Sequence, residues 1–316
     1  MSPADDQATK PLVLRSTDAA QEWIWYAIQK TAKSFALKLQ LFPIWKRYCP
    51  ETRCNIWEWH EQPMMDLINL PSSAKLETMH WEQQGVRLQL PATAVFTSLV
   101  DLSLEDIELV AGSAHLLSSA CCPSLQKLQL WNLRLPRLNK LLIEASALLV
   151  LSMSNGPIAG PETLKLKTTS LRIFHFEDYA YLGTLGISAP KLEGLTFLLN
   201  QPDNSEVDGE LPCVESLKVE LGSHGYEDDD DDDINDGSIC LLRCCASLIC
   251  LEVSLRVTTE EYGFTDMISG RIPHLPHLIN IFDCSCLFTG SAFIWSWSSR
   301  DPKTMQPSQI PPRTFR

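Results

Sequence analysis

The chain has 316 residues, with 26 basic and 39 acidic side chains and a formal net charge of −13. Hydrophobic residues at 45% and charged residues at 21% fit a core-burying protein and exclude disorder along the whole length. A pI near 5.0, with no cluster of Lys and Arg, argues against a nucleic-acid partner. No run approaches the roughly 18 apolar residues of a membrane span, so no membrane partner is expected.

The opening MSPADDQATKPLVL lacks a cationic segment followed by an apolar one, as a secretory signal would have. The eleven cysteines are odd in number and dispersed, and no N-glycosylation sequon occurs. A cytoplasmic or nuclear chain with reduced thiols is expected. No C-x₂-C pair is present, so the cysteines read as small buried hydrophobes and not as zinc ligands.

In chain order, residues 1–16 are expected to be a disordered N-terminus. Asp18 with Gln21 resembles a helix cap, and Ala20, Ile24, Ala27, Ile28 and Phe35 recur at near-helical spacing, which predicts a capping helix over roughly 17–33. Phe35, Leu37 and Leu39 alternate as a strand should, and Cys54, Trp57 and Trp59 read as one worn repeat.

From residue 76 a frame L-x-x-L-x-L recurs. It opens at Leu76, Leu99, Leu125, Leu148, Leu171, Leu192, Val214 and Leu248, at spacings of 23, 26, 23, 23, 21, 22 and 34. The shorter spacings match the 20-to-29-residue period of leucine-rich repeats. The anchors leave each strand on one face, and stacked repeats bury a core that none could bury alone. The predicted fold is therefore an α/β leucine-rich-repeat solenoid over 17–285. A curved parallel sheet would line its concave face, with helices or irregular turns on the convex face. The long last spacing holds an insertion at 222–238 that contains Glu227 to Asp233, seven consecutive acids that read as a solvated loop. Residues 286–316 carry no periodicity and are expected to form an irregular or disordered tail.

Binding would use the side chains that alternate with the anchors. Counting two, four and six from each first leucine places Asp101, Ser103, Glu105, Lys127, Gln129 and Trp131 on the concave face. Val150, Ser152, Ile173, His175, Glu177, Thr196, Leu198 and Lys218 continue it, and Thr78, His80 and Glu82 take the same outward positions in an earlier frame. Trp131, Val150, Ile173, His175 and Leu198 together read as a partly apolar patch suited to a protein partner. Phosphate-binding loops, H-E-x-x-H and G-x-S-x-G are all absent from the sequence, so neither a catalytic centre, a metal nor a cofactor is expected.

Several stretches carry a family resemblance. These are EWIWYAIQKTAKSFALKL, LPSSAKLETMHW, FTSLVDLSLEDIEL, LLSSACCPSLQKLQLWNLRL and RIPHLPHLINI, with Cys122-Pro123-Ser124-Leu125 the most telling element. They resemble the leucine-rich-repeat region of plant F-box proteins, particularly the large grass family that often ends in an FBD segment. The resemblance implies a substrate-recognition solenoid of a cullin-based ubiquitin ligase, whose protein partner would be a ubiquitination substrate. The residues before the predicted helix show no Leu-Pro-Asp opening and no Leu-Ser-x-x-Trp close. No F-box is expected there, contact with a Skp-type adaptor has no visible basis, and a stand-alone scaffold or truncated decoy is the alternative.

Overall fold

The computed structural model describes residues 21–30, 33–38, 47–49, 54–56, 65–68, 70–91, 93–110, 113–135, 140–154, 161–177, 182–198, 204–207, 211–223, 236–257, 277–282, 284–288 and 293–295. The chain is a parallel β-solenoid of about five turns with few helices. It divides into two compact units, Met1–Asn139 and Lys140–Arg316.

The first unit opens with a helix, α1, over 21–30. Ile24 and Ile28, one helical turn apart, are buried, whereas Trp23 and Tyr26 face solvent. Then come β1 (Ser34–Lys38), β2 (Arg47–Cys49), β3 (Cys54–Ile56), β4 (Met65–Ile68), β5 (Thr78–Gln89), β6 (Asp101–Leu109) and β7 (Lys127–Trp131). β1, β5, β6 and β7 pair in parallel, and β4 joins the far end of β5. The strand expected from Phe35 and Leu37 is β1. The worn repeat expected around Cys54 is corrected: β3 pairs antiparallel with β2 as a hairpin and is no parallel rung. Trp57 and Trp59 lie outside the described residues.

In the second unit the chain alternates between two parallel sheets. β9 (Val150–Ser154), β11 (Ile173–Glu177), β13 (Gly194–Leu198), β15 (Ser216–Ser223) and β16 (Cys250–Val257) stack in one. β8 (Lys140–Ile143), β10 (Thr163–Lys167), β12 (Thr184–Ser188) and β14 (Asn204–Val207) form the other. This second sheet stands where helices or irregular turns were expected. Its signal is a two-residue alternation, Leu141 with Ile143, Leu164 with Leu166 and Leu185 with Ile187, all buried and in register. Helix appears where the repeat is longest, as α2 (Asp236–Cys244) between the frames that open at Val214 and Leu248. A helix advances about 1.5 Å per residue against about 3.3 Å for a strand, so the shorter repeats close more readily with a strand.

All three anchors of all eight frames are buried, the most accessible being Val253 at 8%. Five first anchors are brought in by a tight turn closed by a backbone hydrogen bond. The Leu125 amide donates to the Cys122 carbonyl, and Leu99, Leu148, Leu192 and Val214 donate likewise to Phe96, Ala145, Ala189 and Leu211 at 3.1–3.3 Å. Pro123, Pro190 and Pro212 occupy the second position of three of these turns, where the φ locked by the proline ring already suits the geometry. The Cys-Pro-x-Leu element is thus a turn with a buried first residue, a preset second residue and an anchor at the end. Successive turns are also stitched by carbonyls that each accept two consecutive amides, as Val100 does from Gln126 and Lys127, both at 2.9 Å.

Two boundaries move. β15 runs to Ser223 and α2 starts at Asp236, which trims the 222–238 insertion at both ends; the acidic run itself lies outside the described residues. Strand pairing also continues past 286: β17 (Asn280–Phe282) and β18 (Cys284–Phe288) pair with β16, and β19 (Phe293–Trp295) pairs antiparallel with β18. The expected irregular tail is corrected to that extent. Cys-Ser-Cys-Leu-Phe and Phe-Ile-Trp are strand-favouring runs, and their pairing needs no leucine frame. Residues 296–316 and 1–16 lie outside the described residues.

The core of the second unit contains an aromatic stack in which Phe176 lies 5.8 Å from Phe197, nearly parallel, and 5.7 Å from Phe174. All three rings are inaccessible or nearly so. Phe176→Ala is expected to destabilise the protein by about 3–5 kcal/mol, read as a lowered urea midpoint at unchanged slope. A loss below about 1 kcal/mol would contradict this packing.

Candidate functional site

The parallel register that stacks the anchors also stacks everything between them. In the first unit three outward ladders result: Ser34–Thr78–Asp101–Lys127, Ala36–His80–Ser103–Gln129 and Lys38–Glu82–Glu105–Trp131. In the second unit Val150, Ile173, Gly194, Ser216 and Cys250 form one ladder, and Ser152, His175, Thr196, Lys218 and Glu252 the next. Glu177 is aligned with Ser154 and Leu198. Every site residue expected from the sequence therefore lies on an outward strand position of its own unit. Asp101, Ser103, Glu105, Lys127, Gln129 and Trp131 belong to the first unit, and the others to the second.

Accessibility separates them. Trp131 at 45% and Ile173 at 38% are exposed large hydrophobic side chains, and His175 is exposed too. Val150, Ser152, Glu177, Thr196, Leu198 and Lys218 are half-buried, as are Asp101, Glu105, Lys127 and Gln129. Ser103 is the exception: at 8% it is buried and offers a partner little surface. Its short side chain stands between the longer His80 and Gln129 of the flanking strands.

Neighbouring strands neutralise much of the charge on this face. Lys127 Nζ lies 3.2 Å from Asp101 Oδ2, Lys218 Nζ 2.6 Å from Glu252 Oε1, and Lys38 Nζ 2.6 Å from Glu82 Oε1. The bond to Glu82 holds the Lys38 ammonium above its ordinary pKa. In the second unit His175 Nδ1 lies 3.0 Å from Thr196 Oγ1. Opposite charges at directly facing positions favour the observed register, whereas like charges oppose it.

Among the described residues one facing pair is alike: Glu82 against Glu105. Burial first, and then the Glu82 and Asp106 carboxylates, push the Glu105 carboxyl above the usual carboxylate range; His80 and Lys38 pull the other way. His80 stands two residues before Glu82 on the same face, and one ligating atom from each of His80, Glu82 and Glu105 lies within 4.8 Å of the others. The sequence places His80 and Glu82 outward but gives no reason to join them to Glu105. The sign that could have done so is a His-x-Glu pair in one frame with an acid at the Glu position of the next.

The described thiols differ in exposure, with Cys213 exposed and Cys240, Cys244 and Cys250 half-buried. Cys121, Cys122 and Cys245 are buried, and burial pushes the Cys245 thiol up to about 12, so no reactive thiolate forms there near neutrality. Among the described residues no helix is long and apolar enough to cross a membrane.

A raised carboxyl pKa means that folded Glu105 binds its proton more tightly than the unfolded chain does. The ionised group therefore opposes folding at neutral pH, and the penalty disappears as pH falls through the raised value to below 4.5. Glu105→Gln in chelator-treated protein is expected to raise the Tm at pH 7 by on the order of 1 °C. The difference should vanish near pH 4; a lower Tm for the variant at pH 7 would contradict the facing-carboxylate account. Neither family models, curated proteins nor solved structures compared with the chain match it.

Proposed function

We propose that this chain is a non-catalytic protein-binding module of leucine-rich-repeat type, with α1 as its N-terminal cap. In this reading it resembles the substrate-recognition region of an F-box/leucine-rich-repeat subunit of a cullin-based ubiquitin ligase. The observation that carries the reading is the outward strand face of each unit: Trp131 in the first and Ile173 in the second expose large apolar area among charges already paired strand to strand. Exposed aromatic and aliphatic side chains on a rigid scaffold are the usual anchors of a protein interface. Pairing the surrounding charges lowers what a partner must desolvate singly. The cap reading is supported by the Ile24 and Ile28 face of α1, which is buried while its other face meets solvent.

The proposed partner is a protein, recognised on strands and therefore with preset geometry. In the ligase reading that partner is a ubiquitination substrate. A stand-alone scaffold would use the same face.

The test is affinity capture with immobilised protein, followed by the quantified affinity of each captured partner for variants. Trp131→Ala and His175→Ala are expected to weaken a genuine partner by roughly 30-fold, the effect of removing a hot spot worth about 2 kcal/mol. Lys165→Ala, on the second sheet, should leave binding unchanged. Equal affinity for Trp131→Ala, His175→Ala and wild type would overturn the binding-face reading. Ubiquitination of the captured partner that depends on this chain would support the ligase role over the scaffold.

A further inference from the structure

Within the first unit, β5 and β6 bring three metal-ligating side chains onto one outward surface. His80 and Glu82 alternate with the buried Met79 and Trp81, so both leave β5 on the same side. Glu105 is the direct in-register neighbour of Glu82 on β6. Neighbouring parallel strands run about 4.8 Å apart, so the backbone holds the two carboxylates against each other whatever their charge. Regular pairing is interrupted here, since the β5–β6 register shifts between Glu82 and Val86 before it resumes at Val86 and Ile107. The residue after Glu105, Asp106, takes a left-handed φ of 59°. Two facing carboxylates repel, and a cation placed between them removes that cost.

We propose that His80, Glu82 and Glu105 form a binding site for a divalent transition metal, best fitted to zinc.

The donor set makes the choice. One imidazole nitrogen and two carboxylate oxygens suit zinc, which takes such ligands at about 2.0–2.2 Å in tetrahedral geometry. Magnesium and calcium prefer six or more oxygen donors and gain little from an imidazole. Three protein ligands leave the fourth zinc position open to water or to a side chain from a partner. Tetrahedral zinc places its ligand atoms about 3.5 Å apart, so the three atoms, now within 4.8 Å, need close by at most about 1.3 Å. His80 is exposed and Glu82 and Glu105 are half-buried, so rotamer changes supply that movement while the strands stay fixed.

Lys38 is the built-in competitor. From β1, in register with Glu82, its ammonium reaches the Glu82 carboxylate at 2.6 Å. It supplies one positive charge where a metal would supply two, and a bound metal displaces it. The site adjoins the proposed binding face, since Glu105 is in register with Trp131, but its test reads metal binding and needs no protein partner.

The test uses the full chain, stripped of metal with a chelator and titrated with zinc by calorimetry, with cobalt absorption as a second readout. One zinc ion per chain is expected, at micromolar affinity. His80→Ala and Glu105→Gln should each weaken binding at least tenfold, and Lys38→Ala should tighten it severalfold. Circular dichroism of the metal-free variants should match wild type, since these positions carry no core packing. Cobalt should show the weak visible bands of nitrogen and oxygen ligation. Intense near-ultraviolet charge-transfer absorption would place the metal on the cysteines and overturn the site. So would zinc affinity unchanged in both His80→Ala and Glu105→Gln, or no binding at about 100 μM zinc. Should either of those variants fail to fold, Lys38→Ala decides: unchanged or weaker zinc affinity in it overturns the site.

Discussion

The rest of the structure depends on parallel, in-register stacking of the three anchors in each frame. No single frame can bury its own apolar face, so each strand is stable only against its neighbours. The register that joins Leu102 to Leu128 and Leu104 to Leu130 also joins Asp101 to Lys127 and Glu105 to Trp131. Core and surface are therefore set together. A one-residue slip would turn the whole anchor set outward, and with Leu, Phe, Trp and Val at those positions that slip is strongly disfavoured.

That constraint gives the surface its chemistry. Side chains that face each other across a strand pair cannot move apart, so their charges must agree with the register the core imposes. Asp101 with Lys127, Lys218 with Glu252 and Lys38 with Glu82 satisfy the demand. Each such exposed pair contributes no more than about 1 kcal/mol to stability. Glu82 against Glu105 does not satisfy it, and His80 stands beside them. The exception to the pairing is the place where a cation has something to gain.

The turns explain why one short motif recurs. Cys122-Pro123-Ser124-Leu125 and Ala189-Pro190-Lys191-Leu192 combine a buried first residue, a preset second one and an apolar fourth. A motif with that structural cause recurs wherever such a turn feeds a strand, so it speaks for architecture and leaves function to the outward residues. Repeat length acts in a similar way on the opposite sheet. The short turns between Leu148 and Val214 return by a second strand, and the long one between Val214 and Leu248 has room for α2.

The sequence by itself determined the strands of the eight frames, their anchors and their outward positions. Their signals are local: an alternation of two, a frame of six and a period near 23 need no knowledge of any distant contact. All eight frames, the strand at Phe35 and the outward placement of Trp131 and His175 were legible in this way. Tertiary structure decided what depends on neighbouring strands. It buried Ser103 between His80 and Gln129, paired β3 back onto β2, and extended strand pairing to Trp295. In the repeats that open at Leu125, Leu148, Leu171 and Leu192 it turned the expected helices or irregular turns into a second sheet, where Leu164 and Leu166 align with Leu185 and Ile187, whereas the repeat opening at Leu99 keeps a short 3-10 helix over Ser113–Leu117. It also joined His80, Glu82 and Glu105, because only pairing fixes which residues of two strands stand opposite. Periodicity records which face a side chain takes, and register alone records what it meets there.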